Sequence, residues 1–171
     1  DMNKLFYILI FCIVSNNIYA QDVIIIDTEE DISEKEALVI LNGFGDSKKN
    51  RRIQKEFFQE KGYDLFIPEY VEKKSLDLTI STFSSFYNRC KLDEYKQVKF
   101  LCYIIGGYVL NQHIEENGKG KITTIIYDRS PIQERAPKVA AQKLKLITKI
   151  YYGKVLFDFS EIKINPLSNK D

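Results

Sequence analysis

Chemistry at a side-chain nucleophile needs a hydroxyl or thiol and a histidine to take its proton. This sequence holds one histidine, His113, and three cysteines, Cys12, Cys90 and Cys102. No two cysteines form a CxxC pair and none stands near the histidine, so the spacing offers no structural zinc site and no metal ligand set. What the chain does offer is glycine beside apolar runs. Asn42-Gly43-Phe44-Gly45-Asp46 follows the run Ala37–Leu41, and Gly106-Gly107 follows Val98–Ile105. Glycine turns after buried strands leave backbone N–H groups at a corner, where they can hold a carboxylate or other anion. The same glycines also serve turns and close helix packing without any ligand. The reading implies no cofactor.

Those corners need a scaffold, and periodicity supplies one. Short apolar runs alternate with amphipathic stretches. Strands are expected at Val23–Asp27, Ala37–Leu41, Tyr63–Ile67, Val98–Ile105, Ile122–Tyr127 and Val155–Phe159. Helices are expected at Ser47–Lys61, with Ile53, Phe57 and Phe58 on one side, at Leu76–Tyr87, from Gly106 to about Glu116, and at Ala136–Tyr152. Strands alternating with helices of this length mean βαβ units, a mostly parallel doubly wound sheet and a three-layer α/β/α sandwich. Right-handed crossovers put helices on both faces. Ligands then bind at the carboxyl ends of the strands, which singles out the loops 42–46, 103–107 and 128–134.

The chain has 171 residues, which suits one domain, and 44% are hydrophobic, enough for a core. Its 25 Lys and Arg nearly balance 24 Asp and Glu, so charge gives no reason to expect nucleic acid as a partner. The first twenty residues read as a signal peptide. Lys4 precedes the apolar run Leu5–Val14, and Ala20-Gln21 is the expected cut. That run is too short for a stable membrane span, which takes about 20 residues. The domain is therefore expected at 21–171, secreted or periplasmic. Cys90 and Cys102 would then remain, either paired or as two buried thiols.

In order and spacing the chain resembles the α/β-hydrolase family, lipases and esterases included, from about Ala37 to Pro131. The pieces are Leu38-Val39-Ile40-Leu41-Asn42-Gly43-Phe44-Gly45, Lys61-Gly62-Tyr63-Asp64, Pro68-Glu69-Tyr70, Cys102-Tyr103-Ile104-Ile105-Gly106-Gly107 and Tyr127-Asp128-Arg129-Ser130-Pro131. The resemblance places Ile104 where the family carries its nucleophilic serine, at a sharp strand-to-helix turn. Isoleucine has no proton to transfer, and its β-branch suggests a relaxed turn. Phe44 and Ile105 fall at the oxyanion-hole positions. Asn42, Gly43, Gly45, Gly106 and Gly107 line the implied pocket, with Asn42 where a histidine is usual. The resemblance puts Asp158 where the family places its acid. His113 falls after the elbow rather than late in the chain and reads as a surface or helix-flank residue. The cluster Lys48-Lys49-Asn50-Arg51-Arg52 reads as a solvated face.

These readings imply an exported, catalytically inactive hydrolase-like protein. It would bind a small molecule or a protein partner, neither of them identified, at the carboxyl edge of the sheet. An alternative is an active esterase using Cys102, Asp128 or Ser130. A third is a truncated relic, since the chain stops at Asp171 before a family histidine would come. A fourth is a different doubly wound domain.

Overall fold

The computed structural model describes residues 22–27, 29–128 and 152–162. The expected signal peptide at 1–20, Ser130 and nearly all of the expected helix 136–152 lie outside the described residues.

Five strands and four helices are described: β1 Val23–Ile25, β2 Glu36–Leu41, α1 Lys48–Phe58, β3 Asp64–Ile67, α2 Leu76–Arg89, β4 Gln97–Tyr103, α3 Ile105–Asn117, β5 Ile122–Asp128 and α4 Lys154–Glu161. The strands form one sheet in the order β1-β3-β2-β4-β5. β1 runs antiparallel to β3, and the other pairings are parallel. The sheet is thus mixed and mostly parallel, with helices on both faces, as the alternating pattern requires.

β2 sits at the centre between β3 and β4, and its residues Ala37 to Leu41 are all buried. A strand covered on both faces can be apolar throughout, which is why it reads as a continuous run. Ala37, Val39 and Leu41 face a large core built with Phe83 and Phe86 of α2, Val109 and Leu110 of α3, and Val155 and Phe159 of α4. Leu38 and Ile40 face a smaller cluster with Leu65 and Ile67, against which Phe58 of α1 packs. β4 alternates instead. Val98, Phe100 and Cys102 are buried, and the residues between them are half-buried. Cys102 and the half-buried Cys90 are both free thiols.

Two elements differ from expectation. Val155–Phe159, expected as a strand, lies within helix α4. Val155, Leu156 and Phe159 are its buried residues, a helical spacing. A run of five residues with four apolar and one acidic, Asp158, fits either period, so context decides it. Gly153 begins this helix at φ 72°, pressed so close to Lys73 that a Cβ would stand 2.3 Å from the Lys73 carbonyl oxygen. Lys154 N–H also donates to that oxygen at 2.8 Å.

The second difference is the rotation of α1. Ile53 and Phe57, expected inward, are 51% and 61% exposed, and the buried residues are Arg51 and Gln54. At about 100° per residue Ile53 lies about 200° round the helix from Arg51, so the two cannot both face the sheet. Polar anchoring wins. Arg51 Nε donates to Asp46 at 2.5 Å, its guanidinium reaches the carbonyl oxygens of Ile67 and Pro68, and Gln54 pairs with Asn42.

The amino end of the sheet is tied by buried charge. Asp64, 3% exposed, opens β3. Its Oδ2 accepts from Lys35 Nζ at 2.8 Å and from Tyr95 OH at 2.7 Å, and its Oδ1 accepts from Asp27 N–H at 3.0 Å. Lys35 also donates to the Asp27 carbonyl oxygen, and Lys96 N–H donates to the Lys35 carbonyl oxygen. A buried carboxylate is tolerated only when its lone pairs are engaged in this way.

Candidate functional site

At the carboxyl end of β4 the chain breaks sharply into α3, and Ile104 is the corner. It has φ 41° and ψ −100°, and its side chain caps nothing. A β-branched residue at positive φ is an outlier that the surroundings must hold in place. The turn is therefore sharp and not relaxed as its sequence suggests.

The surroundings supply the constraint. A Cβ on Gly106 would stand 2.5 Å from the Leu41 carbonyl oxygen and 2.7 Å from the Leu41 Cβ. Only glycine lets the start of α3 lie this close to the end of β2. Gly107, also buried, continues the first turn. On the facing loop a Cβ at Gly43 would lie 3.2 Å from the Tyr103 carbonyl oxygen and 3.6 Å from the Ile104 Cβ. Gly45 holds φ 83° two residues on. The loop after β2 and the elbow after β4 thus touch through backbone.

Asn42 braces the loop. It is 3% exposed and exchanges two hydrogen bonds with Gln54 of α1, at 2.9 and 2.8 Å. Its carbonyl oxygen accepts from Tyr70 OH at 2.5 Å. Burial pushes the Tyr70 phenol well above its ordinary value, so it remains a donor. Arg51 holds the far end of the loop through Asp46, and at 3.9 Å it also reaches Glu69. Sequence reasoning missed Arg51, Gln54 and Tyr70. Arg51 and Gln54 lie among other polar residues of α1, so no local signal marked them.

Two hollows open here. One, of about 270 Å³, is lined among the described residues by Asn42, Gly43, Phe44, Tyr103, Ile104 and Asp128, with neighbours in the same loop. The other, of about 340 Å³, lies beside it under Phe44, Tyr70, Val71, Lys73 and Tyr152. Phe44 stands between them, its ring 5.8 Å from Phe159 and 5.9 Å from Tyr152. Ile105 is the first residue of α3, so its amide belongs to the first turn, where N–H groups have no partner within the helix. The site joins a strained corner, first-turn amides, a lining of mixed polarity and two carboxylates, Asp128 and the Asp46 that Arg51 holds. It can hold a small carbonyl or acyl group in place, and Ile104 brings no nucleophile to it.

The other expected partners are elsewhere and engaged. Asp158 sits on α4, where Oδ2 accepts from Leu76 N–H at the start of α2 at 3.3 Å and Oδ1 lies 3.7 Å from Lys154 Nζ. A carboxylate at a helix N-terminus is favourable for the helix dipole. His113 is 4% exposed and not at a helix flank as expected. Its ring lies 4.4 Å from that of Tyr87 and 5.4 Å from that of Phe83, and Nδ1 is 3.3 Å from both Ser84 Oγ and Asn117 Nδ2. Burial lowers its pKa and keeps the ring neutral. Cys102 packs under the sheet, and burial drives its thiol far upward, so it supplies no thiolate. Among the described residues no group of three or more His, Cys, Asp and Glu could hold a metal ion, and no helix is long and apolar enough to cross a membrane.

No protein-family model and no curated protein matches the chain by sequence. Solved structures do match it. The Bacillus licheniformis lipase BlEst2 in mature form is similar over 84% of this chain and 62% of its own, with 13% identity and a TM-score of 0.58. A bromoperoxidase from Bacillus anthracis matches 63% of this chain and 44% of its own at 16% identity and a TM-score of 0.45. MGS-MChE2, an α/β hydrolase from the metagenome of sediments from the lagoon of Mar Chica, Morocco, matches 77% of this chain and 68% of its own at 18% identity and a TM-score of 0.48. The fold is α/β-hydrolase-like. This chain spans roughly half to two thirds of the length of these three structures.

Proposed function

We propose that this is an exported α/β-hydrolase-like protein that holds a small ligand or a partner segment at the carboxyl edge of its sheet without hydrolysing it. The observation that carries the reading is Ile104 at φ 41°. The corner that would expose a nucleophile is kept, and the residue on it can neither attack nor exchange a proton. His113, wedged between α2 and α3, takes its polar contacts from Ser84 and Asn117, and Asp158 caps α2. Among the described residues a side chain with no nucleophile stands at the corner, and His113 and Asp158 are engaged elsewhere, which supports the reading. Export rests on the leading residues alone, on Lys4, the run Leu5–Val14 and Ala20-Gln21.

A second reading, an active esterase with unusual groups, has one observation in its favour. Asp128 lines the same hollow as Ile104. Hydrolysis of short-chain nitrophenyl esters separates the two when the protein and Ile104→Ser are assayed side by side. The expected result is no turnover by the parent and a slow, measurable gain in Ile104→Ser, which puts a hydroxyl on the exposed corner beside the first-turn amides. Turnover by the parent that is lost in Asp128→Asn rejects the binding reading in favour of the esterase.

A further inference from the structure

Two asparagines of the chain stand directly before glycine, in Asn42-Gly43 and Asn117-Gly118, and the fold treats them in opposite ways. Asn42 is buried, and both atoms of its side-chain amide are held by Gln54 of α1. Its carbonyl oxygen accepts from Tyr70 OH, and Gly43 behind it is wedged against the Tyr103 carbonyl oxygen. Asn117 is the last residue of α3 and is exposed. Its Nδ2 donates to the His113 carbonyl oxygen at 3.0 Å and lies 3.3 Å from His113 Nδ1. The Gly118 N–H donates to the Ile114 carbonyl oxygen at 2.8 Å, and Gly118 leaves the helix at φ 83°. Lys119-Gly120-Lys121 then leads into β5.

We infer that Asn117 is a site of spontaneous deamidation in the folded protein and that Asn42, with the same neighbour, is not. In this reaction the Gly118 backbone nitrogen loses its proton and attacks Cγ of Asn117. The Cγ–Nδ2 bond breaks, ammonia leaves, and a five-membered succinimide remains. Water then opens the ring at one of its two carbonyls, giving aspartate or isoaspartate at position 117. Water is the only co-reactant. Glycine favours the attack because it has no side chain to shield its nitrogen and its backbone swings readily into the ring geometry. What separates the two sites is the opening each requires. At Asn117 the last turn of α3 must fray and release the bonds to His113 and Ile114, and helix ends fray at little cost. At Asn42 the loop must leave Gln54, Tyr70 and the elbow at the end of the central strand, an opening close to global unfolding.

The product alters the charge around the one histidine. The amide of Asn117 donates to His113 Nδ1, whereas a carboxylate there only accepts and so favours a proton on the ring. Asp93, which accepts from Tyr87 OH beside the ring, and Glu116 already pull the same way against burial. Deamidation adds a third negative charge and raises the pKa of His113. None of this depends on the pocket at Ile104.

Peptide mapping by mass spectrometry tests it, on the full chain held in mildly alkaline buffer with and without denaturing urea. Without urea the expected result is conversion of amide to acid in the peptide holding Asn117, split between aspartate and isoaspartate. Asn42 should react about a hundredfold more slowly or less. In urea the two sites should react at similar rates, because the fold that separates them is gone. In Asn117→Asp the ring signal of the single histidine should titrate at higher pH than in the parent, read by proton magnetic resonance. Equal rates at the two sites without urea would overturn the inference. So would an Asn117 that stays intact without urea while both sites react in urea, since the end of α3 would then protect it as fully as the core protects Asn42. A histidine titration unmoved in Asn117→Asp would overturn the link to His113.

Discussion

At the amino end of the sheet Asp64 lies buried at the start of β3 with both oxygens engaged. At the carboxyl end Ile104 turns through a positive φ beside a hollow of about 270 Å³. The first end gathers Lys35, Asp27, Tyr95 and Lys96 into one closed set of hydrogen bonds. The second keeps a residue in a conformation it disfavours and leaves space beside it. Strain of this kind costs about 1–3 kcal/mol and survives only where the rest of the structure over-determines it. The difference teaches a division of labour. Stability is invested away from the corner, and the corner is held by glycine contacts and by the braces Asn42, Gln54, Tyr70 and Arg51.

The largest effect is expected at the tied end. Asp64→Asn leaves Lys35 charged, buried and short of its counter-ion, and removal of one partner of a buried pair costs about 3–5 kcal/mol. Urea unfolding monitored by tyrosine fluorescence should show a loss of unfolding free energy of that size. A change under 1 kcal/mol would mean the amino end is not where stability is invested. Next comes the corner. Gly106→Ala drives a methyl into the Leu41 carbonyl and should cost about 2–3 kcal/mol by overpacking. Were it neutral in the same experiment, the close approach of α3 to β2 would not be what holds Ile104.

The smallest effect is a pH dependence that belongs to the amino-end half. His113 lies near the end of α3, opposite Tyr87, whose hydroxyl donates to Asp93 at 2.9 Å. Burial lowers the pKa of His113 in the fold, with Asp93 and Glu116 opposing that shift in part. The unfolded chain therefore binds the proton more readily. Stability is full above the unfolded value of about 6.5 and declines as pH falls below it. Melting temperature between pH 7.5 and pH 5 should fall more in the parent than in His113→Gln. Equal slopes would assign the decline to other groups.

Much of the scaffold was legible, for definite reasons. Ala37–Leu41 is apolar throughout because it is central, and the pair Gly106-Gly107 marks the elbow because a helix must leave that strand steeply. The turn residues Gly62 and Pro68 bracketed β3 within one residue. What was illegible depended on contacts between distant segments. The run 155–159 became a helix because α4 docks on α2 through Asp158 and on Phe44 through Phe159. The face of α1 was misjudged because a buried arginine is satisfied by carbonyls of Ile67 and Pro68, which no local pattern reveals. His113 was read as flanking because its aromatic cover, Phe83 and Tyr87, comes from another helix. The sharpness of the turn at Ile104 was misread by propensity, which strained sites override.

The strand order has a consequence for how the chain reaches this state. β2, the central strand, pairs on one side with β3, where Ala37 meets Asp64, and on the other with β4, where Glu36 meets Gln97 across 61 residues of chain. Closing the longer loop costs about 0.7 kcal/mol more than the shorter. As the chain is synthesised, β3 is also available long before β4. One edge of β2 therefore stands open until β4 arrives, and during that interval its row of Leu, Val and Ile is the segment most exposed to pairing with another chain. The rate of refolding, and the yield at high concentration, should both be set by how soon Gln97–Tyr103 closes that edge.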